Sequence, residues 1–112
     1  MGAGTKHAAS ASPPAIAQLE IEHMLAYVTG SDCEFRRNGF WFTAKEAESH
    51  MRTKYSYLES INLIHSAEDF IDLAASKSSV SGLQYEVRCK DQLTVATAPW
   101  LQSELARFRA FH

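Results

Sequence analysis

The sequence predicts an α+β domain: a small three-stranded antiparallel sheet (a hairpin plus one strand) packed against about four helices, in the order α-β-β-α-α-β-α. Three observations carry that prediction. Asn38-Gly39 separates two short runs of alternating character, four stretches repeat apolar residues at steps of three and four, and Gln84–Cys89 alternates strictly. The 112 residues, 46% apolar and 21% charged, have room for one such domain of ordinary globular composition. Residues 1–14 are small and polar and end in Pro13-Pro14, so they read as a flexible N-terminal segment ahead of a single domain over 15–112.

The first helix is expected over about 15–29. Ala17, Ile21, Met24, Leu25 and Val28 fall on one face, Pro14 suits the first turn, and Gly30 is a plausible stop. The hairpin follows, with strands at 33–37 and 40–43. Both central residues of a type I′ turn need positive φ, which is why Asn-Gly is a strong hairpin signal. Cys33, Phe35 and Arg37 line one face of the first strand; Phe40 and Phe42 share a face of the second, with Trp41 opposite.

Thr43-Ala44-Lys45-Glu46 fits a capping box, so the longest helix should start at once and run to about 63 along Ala44, Ala47, Met51, Tyr55 and Leu58. Ser66-Ala67-Glu68-Asp69 is a new N-cap with acids in the first turn, opening a helix over about 67–76 that buries Phe70, Ile71 and Ala74. The serine-rich stretch 76–82 is too polar and flexible for a helix interior, strand 84–89 follows, and a linker runs through Thr97. Pro99 opens the last helix, with Trp100, Leu101, Leu105 and Phe108 facing inward.

Several function classes are excluded by composition. A net charge of −2 and a pI near 6.2 lack the basic footprint of a duplex nucleic-acid binder. No run approaches the roughly 20 apolar residues of a transmembrane helix. His7, His23, His50, His65 and His112 are scattered without metal-ligand spacing, there is no glycine-rich phosphate loop, and so neither a metal nor a cofactor is expected. Two cysteines are too few for a disulfide scaffold. Cys33 starts one expected strand and Cys89 ends another; they meet if those strands are neighbours, and otherwise are two separate buried thiols.

Taken together, several strings are familiar: Cys33-x-Phe35-x-Arg37-Asn38-Gly39, Ala44-x-x-Ala47-x-x-His50 with Lys54-Tyr55, Ser66-Ala67-Glu68-Asp69-Phe70-Ile71, Ser78-Ser79-x-Ser81-Gly82-x-x-Tyr85-x-Val87, and Trp100-Leu101. This ordered set, over about 16–109, resembles the YfeK-like family of small exported bacterial proteins, which has no assigned biochemical function. The stretch Ile61–His65 is longer than that pattern. The resemblance implies a precursor with a signal peptide, a periplasmic or lipid-tethered mature protein, and, in an oxidising compartment, a Cys33–Cys89 bridge. It transfers a compartment and no activity.

The candidate binding residues are Arg37, Asn38, Trp41, His50, Lys54, Ser79, Ser81 and Tyr85. His50 shares a helix face with Glu46 and Lys54, so its imidazole could act as an acid or base; a solvated charged stripe is the plainer account. Ser76, Ser78, Ser79 and Ser81 could form a ligand-facing loop, or simply cap their own turn. They lack the Gly-x-Ser-x-Gly elbow of a serine hydrolase. Arg36-Arg37-Asn38-Gly39 beside Trp41 could anchor a carboxylate or a protein partner, against the alternatives of solvated arginines and a core tryptophan.

With no complete catalytic constellation, the leading reading is an exported, non-enzymatic binding module. It would engage an unidentified protein or cell-envelope component, an inhibitor- or immunity-type role being one version, as a monomer or weak homo-oligomer. The alternative is a small hydrolase or transferase pairing His50 with a serine of 78–81.

Overall fold

The computed structural model describes residues 13–111; the expected flexible segment therefore lies outside the described residues except for Pro13 and Pro14. The elements are α1 (Ala15–Ser31), β1 (Glu34–Arg37), β2 (Phe40–Thr43), α2 (Ala44–Ser60), α3 (Ala67–Ala74), β3 (Glu86–Arg88), β4 (Val95–Ala96) and α4 (Thr97–Ala110). The class is α+β as expected, but the sheet has four strands, ordered β2-β1-β3-β4 with every pair antiparallel. The added strand is two residues long, inside the expected linker. It pairs Glu86 with Ala96 and Val87 with Val95, and a run that short shows no alternation to read.

Asn38 and Gly39 both take positive φ, 52° and 83°, and set the hairpin register of Phe35 opposite Phe42 and Arg37 opposite Phe40. Thr43 caps α2 as a full capping box: its hydroxyl accepts from the Glu46 amide while the Glu46 carboxylate accepts from the Thr43 amide. Ser66 caps α3 by accepting from the Asp69 amide.

The helix ends depart from expectation for identifiable reasons. α1 runs through Gly30 and stops where Asp32 turns left-handed, φ 57°. α2 ends at Ser60 rather than near 63, because Asn62 takes φ 62° and completes a Schellman motif. The Asn62 amide donates to the Glu59 carbonyl and the Leu63 amide to the Leu58 carbonyl. α3 ends at Ala74, where the Ser76 hydroxyl takes up the Ile71 carbonyl. α4 starts two residues before Pro99, which therefore sits in the first turn, where a missing N–H removes no helical bond.

The core joins Ile21, Met24, Leu25 and Val28 of α1 to Met51 and Tyr55 of α2, Phe70 and Ile71 of α3, Leu101 and Leu105 of α4, and Phe35 and Val87 of the sheet. α1 is docked by charge as well. The Arg109 guanidinium forks onto buried Glu20 at 2.8 and 2.9 Å and also reaches Glu68, while His23 meets buried Glu104 at 2.6 Å.

Cys33 and Cys89 form a disulfide. β1 and β3 pair Glu34 with Arg88, so one further step of the same register sets Cys33 opposite Cys89, with Cα atoms 4.4 Å apart. That is the spacing of a non-hydrogen-bonded antiparallel pair. The bridge closes a sequence separation of 56 residues, for which chain-entropy reasoning gives about 4 kcal/mol of stabilisation. The Cys33→Ser/Cys89→Ser variant should lose about that much in urea unfolding, and the native protein should lose it in reductant; an unchanged midpoint would assign stability elsewhere.

Candidate functional site

A cavity of about 310 Å³ opens between the hairpin, α2 and the segment entering β3. Its cationic and polar wall comes from Arg37, His50, Lys54 and Tyr85, four of the eight residues singled out above. Three parts of the chain place them. Arg37 is the last residue of β1, on the same face as Phe35; continuing the β1–β3 register one step beyond Arg36–Glu86 brings Tyr85 opposite it. His50 and Lys54 lie one turn apart on α2, and Ala47, Met51 and Tyr57 share that stripe.

The apolar floor is built from Phe35, Phe42, Ala47, Met51 and Ala74. Phe42 organises the wall above it: the His50 ring meets it edge-on at 5.0 Å between centroids, and the Arg37 guanidinium lies 5.6 Å over its face. Lys54 Nζ donates to the Tyr85 hydroxyl at 3.2 Å and to the Lys77 carbonyl at 3.0 Å, and lies 5.3 Å from the Tyr85 ring centre. An ammonium has three N–H donors, so one is left over. Arg37 Nε is buried and has no hydrogen-bond partner among the described residues.

Burial pushes the His50 imidazole below its ordinary value; the nearby Arg37 charge adds to this and Glu46 opposes it. Glu46 itself is held below the usual carboxylate range by its bonds to Thr43, so the acid nearest His50 on the helix is committed to the cap.

The other four candidates lie elsewhere. Asn38 accepts a hydrogen bond from the Ser81 hydroxyl, tying the hairpin turn to the serine loop outside the cavity. Ser79 is exposed and does not line it. The loop satisfies itself: the Ser78 hydroxyl accepts from the Val80 and Ser81 amides, Gly82 turns with φ 75°, and Lys77 bridges Gln84. Trp41 is neither in the core nor beside Arg37. It is half-buried on the opposite face of the sheet, with the Arg88 and Arg36 guanidinia over its ring at 4.0 and 5.0 Å. Those arginines pair with Glu34 and Glu86 respectively, making a cross-strand ladder.

The apolar half of the cavity was missed as a site although its spacing was readable: Ala47, Met51 and Tyr57 interleave with His50 and Lys54 on one helix face, and Phe42 alternates with Trp41. Among the described residues no group of three or more His, Cys, Asp or Glu side chains converges as a metal site, and no helix is long and apolar enough to cross a membrane.

Fold and cavity together define a disulfide-clamped α+β protein with a cation-walled apolar cavity. The chain belongs to a family of unknown function, DUF5329, whose model matches residues 15–109. It is similar to the uncharacterized protein YfeK of Salmonella typhimurium strain LT2, with 41% identity over 69 residues. That match covers 61% of this chain and 56% of the relative, so the chain spans little more than half of that protein's length. No solved structure matches.

The lowered His50 value has a definite sign. As pH falls through the ordinary histidine value of 6.5, the unfolded chain takes up the proton before the folded one, so stability drops below that pH. Glu22, Glu46, Glu68 and Glu104, all lowered, act separately below their ordinary 4.5. Urea unfolding just above and just below the histidine range should therefore show a larger loss for the native protein than for His50→Gln; equal losses would remove the burial argument.

Proposed function

We propose that this protein is an exported, non-catalytic binding module that takes a small ligand in the cavity between the hairpin and α2. The observation that carries the proposal is the convergence of Arg37, His50, Lys54 and Tyr85, from three separate parts of the chain, on one concave and mainly apolar space. Small-molecule sites have this composition: apolar walls for affinity and a few convergent polar groups for orientation. The disulfide supports the exported part of the reading, because such bonds persist in oxidising compartments.

Two other arrangements receive less support. A hairpin presenting Arg37 and Trp41 to a protein partner would need them on one face, and the β-sheet alternation separates them. A hydrolase pairing His50 with a loop serine would need a hydroxyl beside the imidazole. No serine lines the cavity, and the hydroxyls are engaged elsewhere: Ser76 on the Ile71 carbonyl, Ser78 on the amides of its own turn, and Ser81 on Asn38.

The test is a fragment screen by amide chemical-shift mapping with acidic, neutral and basic fragments. Hits should cluster on Phe42, His50, Met51 and Tyr57 and vanish in Thr53→Trp, an obstruction placed at an exposed lining position. Hits spread over other surfaces, or unaffected by that obstruction, would overturn the reading. Export is tested separately: protein from its own cells, denatured without reductant, should show no free thiol, and two free thiols would refute it.

A further inference from the structure

Building on the cavity reading, we infer that the ligand is an amphipathic organic anion: a single carboxylate carried on an apolar body, with the carboxylate held by Arg37 and Lys54. The arginine inventory points to this. The chain has six arginines. Five of them are matched to carboxylates: Arg36 to Glu86, Arg52 to Glu22 and Glu48, Arg88 to Glu34, Arg107 to Glu104, and Arg109 to Glu20 and Glu68. Two arginines line the cavity, Arg36 and Arg37; Arg36 is paired with Glu86, whereas Arg37 alone has no carboxylate among the described residues and carries a buried, unpartnered Nε.

The surroundings agree. No Asp or Glu lines the cavity, although the chain as a whole carries a net charge of −2. Lys54 adds an ammonium with a spare N–H, fixed by Tyr85 and the Lys77 carbonyl. His50 lines the same wall against Phe42, adding an imidazole N–H beside the apolar floor. A guanidinium fork and an ammonium in a partly desolvated wall select a compact anion. The floor of Phe35, Phe42, Ala47 and Met51 gives nothing polar to bind and selects an apolar body.

Three eight-carbon probes that differ only in the head group test this: octanoate, octan-1-ol and octylamine, each titrated by chemical-shift mapping and calorimetry. Octanoate should bind at least tenfold more tightly than the other two, and its binding should raise the His50 titration midpoint followed at the ring proton. Arg37→Gln should weaken octanoate by about tenfold to a hundredfold, the loss expected for a charge-assisted hydrogen bond. Arg37→Lys should restore part of it. Arg52→Gln, which removes the same charge from the outer surface, should leave the affinity unchanged and serves with circular dichroism as the folding control. Octanol or octylamine binding the lining as tightly as octanoate would overturn the anion assignment and leave the cavity reading standing. An octanoate affinity equally reduced in Arg52→Gln, or octanoate failing to shift the lining while the fragment screen still maps there, would also overturn it.

Discussion

The antiparallel pairing of β1 with β3, closed by Cys33–Cys89, is the constraint on which the rest of the structure depends. It joins the hairpin, early in the chain, to a strand more than fifty residues later, a separation of 56 at the bridge. Because side chains alternate across a sheet, one register decides both faces at once. Inward it stacks Phe35 on Val87 in the core and continues to Arg37 beside Tyr85 at the cavity; outward it sets Glu34 against Arg88 and Arg36 against Glu86 under Trp41. A slip of one residue would send Phe35 to solvent and Arg36 toward the core. The buried Phe35 would be exchanged for a guanidinium, and a covalent link at the end of the ladder forbids it.

The same register sorts the charge. Carboxylates and arginines that pair across the outer face of the sheet, or between helices, neutralise one another where water also screens them, and each such pair is worth little by itself. Glu20 and Glu104 are different: they are buried and each is held by an arginine fork, Arg109 on Glu20 joining the first and last helices and Arg107 on Glu104 within α4, where Glu104 also meets His23 of α1. Glu104 is kept below the usual carboxylate range first by its bond to Arg107 and then by His23, with burial opposing both. Arg37 and Lys54, outside these pairings, form a short cationic strip on one inner corner of a molecule of net charge −2. Low-dielectric walls strengthen the field of such a strip relative to an open surface.

Most of the architecture is legible in the residues because local signals and global packing agree. Asn38-Gly39 states the hairpin, Thr43 with Glu46 and Ser66 with Asp69 state two helix starts, and the apolar spacing of α1 states its buried face. The departures have local causes that compete with spacing. Asn62 was readable as a left-handed terminator but lies inside a run, Ile61–Ile64, whose apolar residues read as more helix. β4 exists only because β3 offers an edge to pair with, so nothing in Val95-Ala96 itself announces a strand. The site divides in the same way. Arg37, His50, Lys54 and Tyr85 stand out by chemistry, whereas Trp41 and the serines stand out equally and belong to an ion-pair ladder and a self-capped turn. The packing of the hairpin, α2 and the β1–β3 pair against one another, a non-local property, tells the two groups apart.

The cavity corner is also where the fold departs from the arrangement that stability alone would favour. A guanidinium Nε buried without a partner loses its hydration and recovers nothing, at a cost of about 1–3 kcal/mol. An apolar residue of similar size at Arg37 would extend the core from Phe35 and Phe42 and remove that penalty. The same corner disfavours the charged form of His50, a cost that arises only once the imidazole is protonated. The groups that carry these costs are those facing the open space, and the proposed anion would complete them. A ligand that binds the folded state alone adds its free energy to folding in proportion to the logarithm of its concentration. For the proposed ligand, the corner that weakens the free protein would be the corner that gains most on binding.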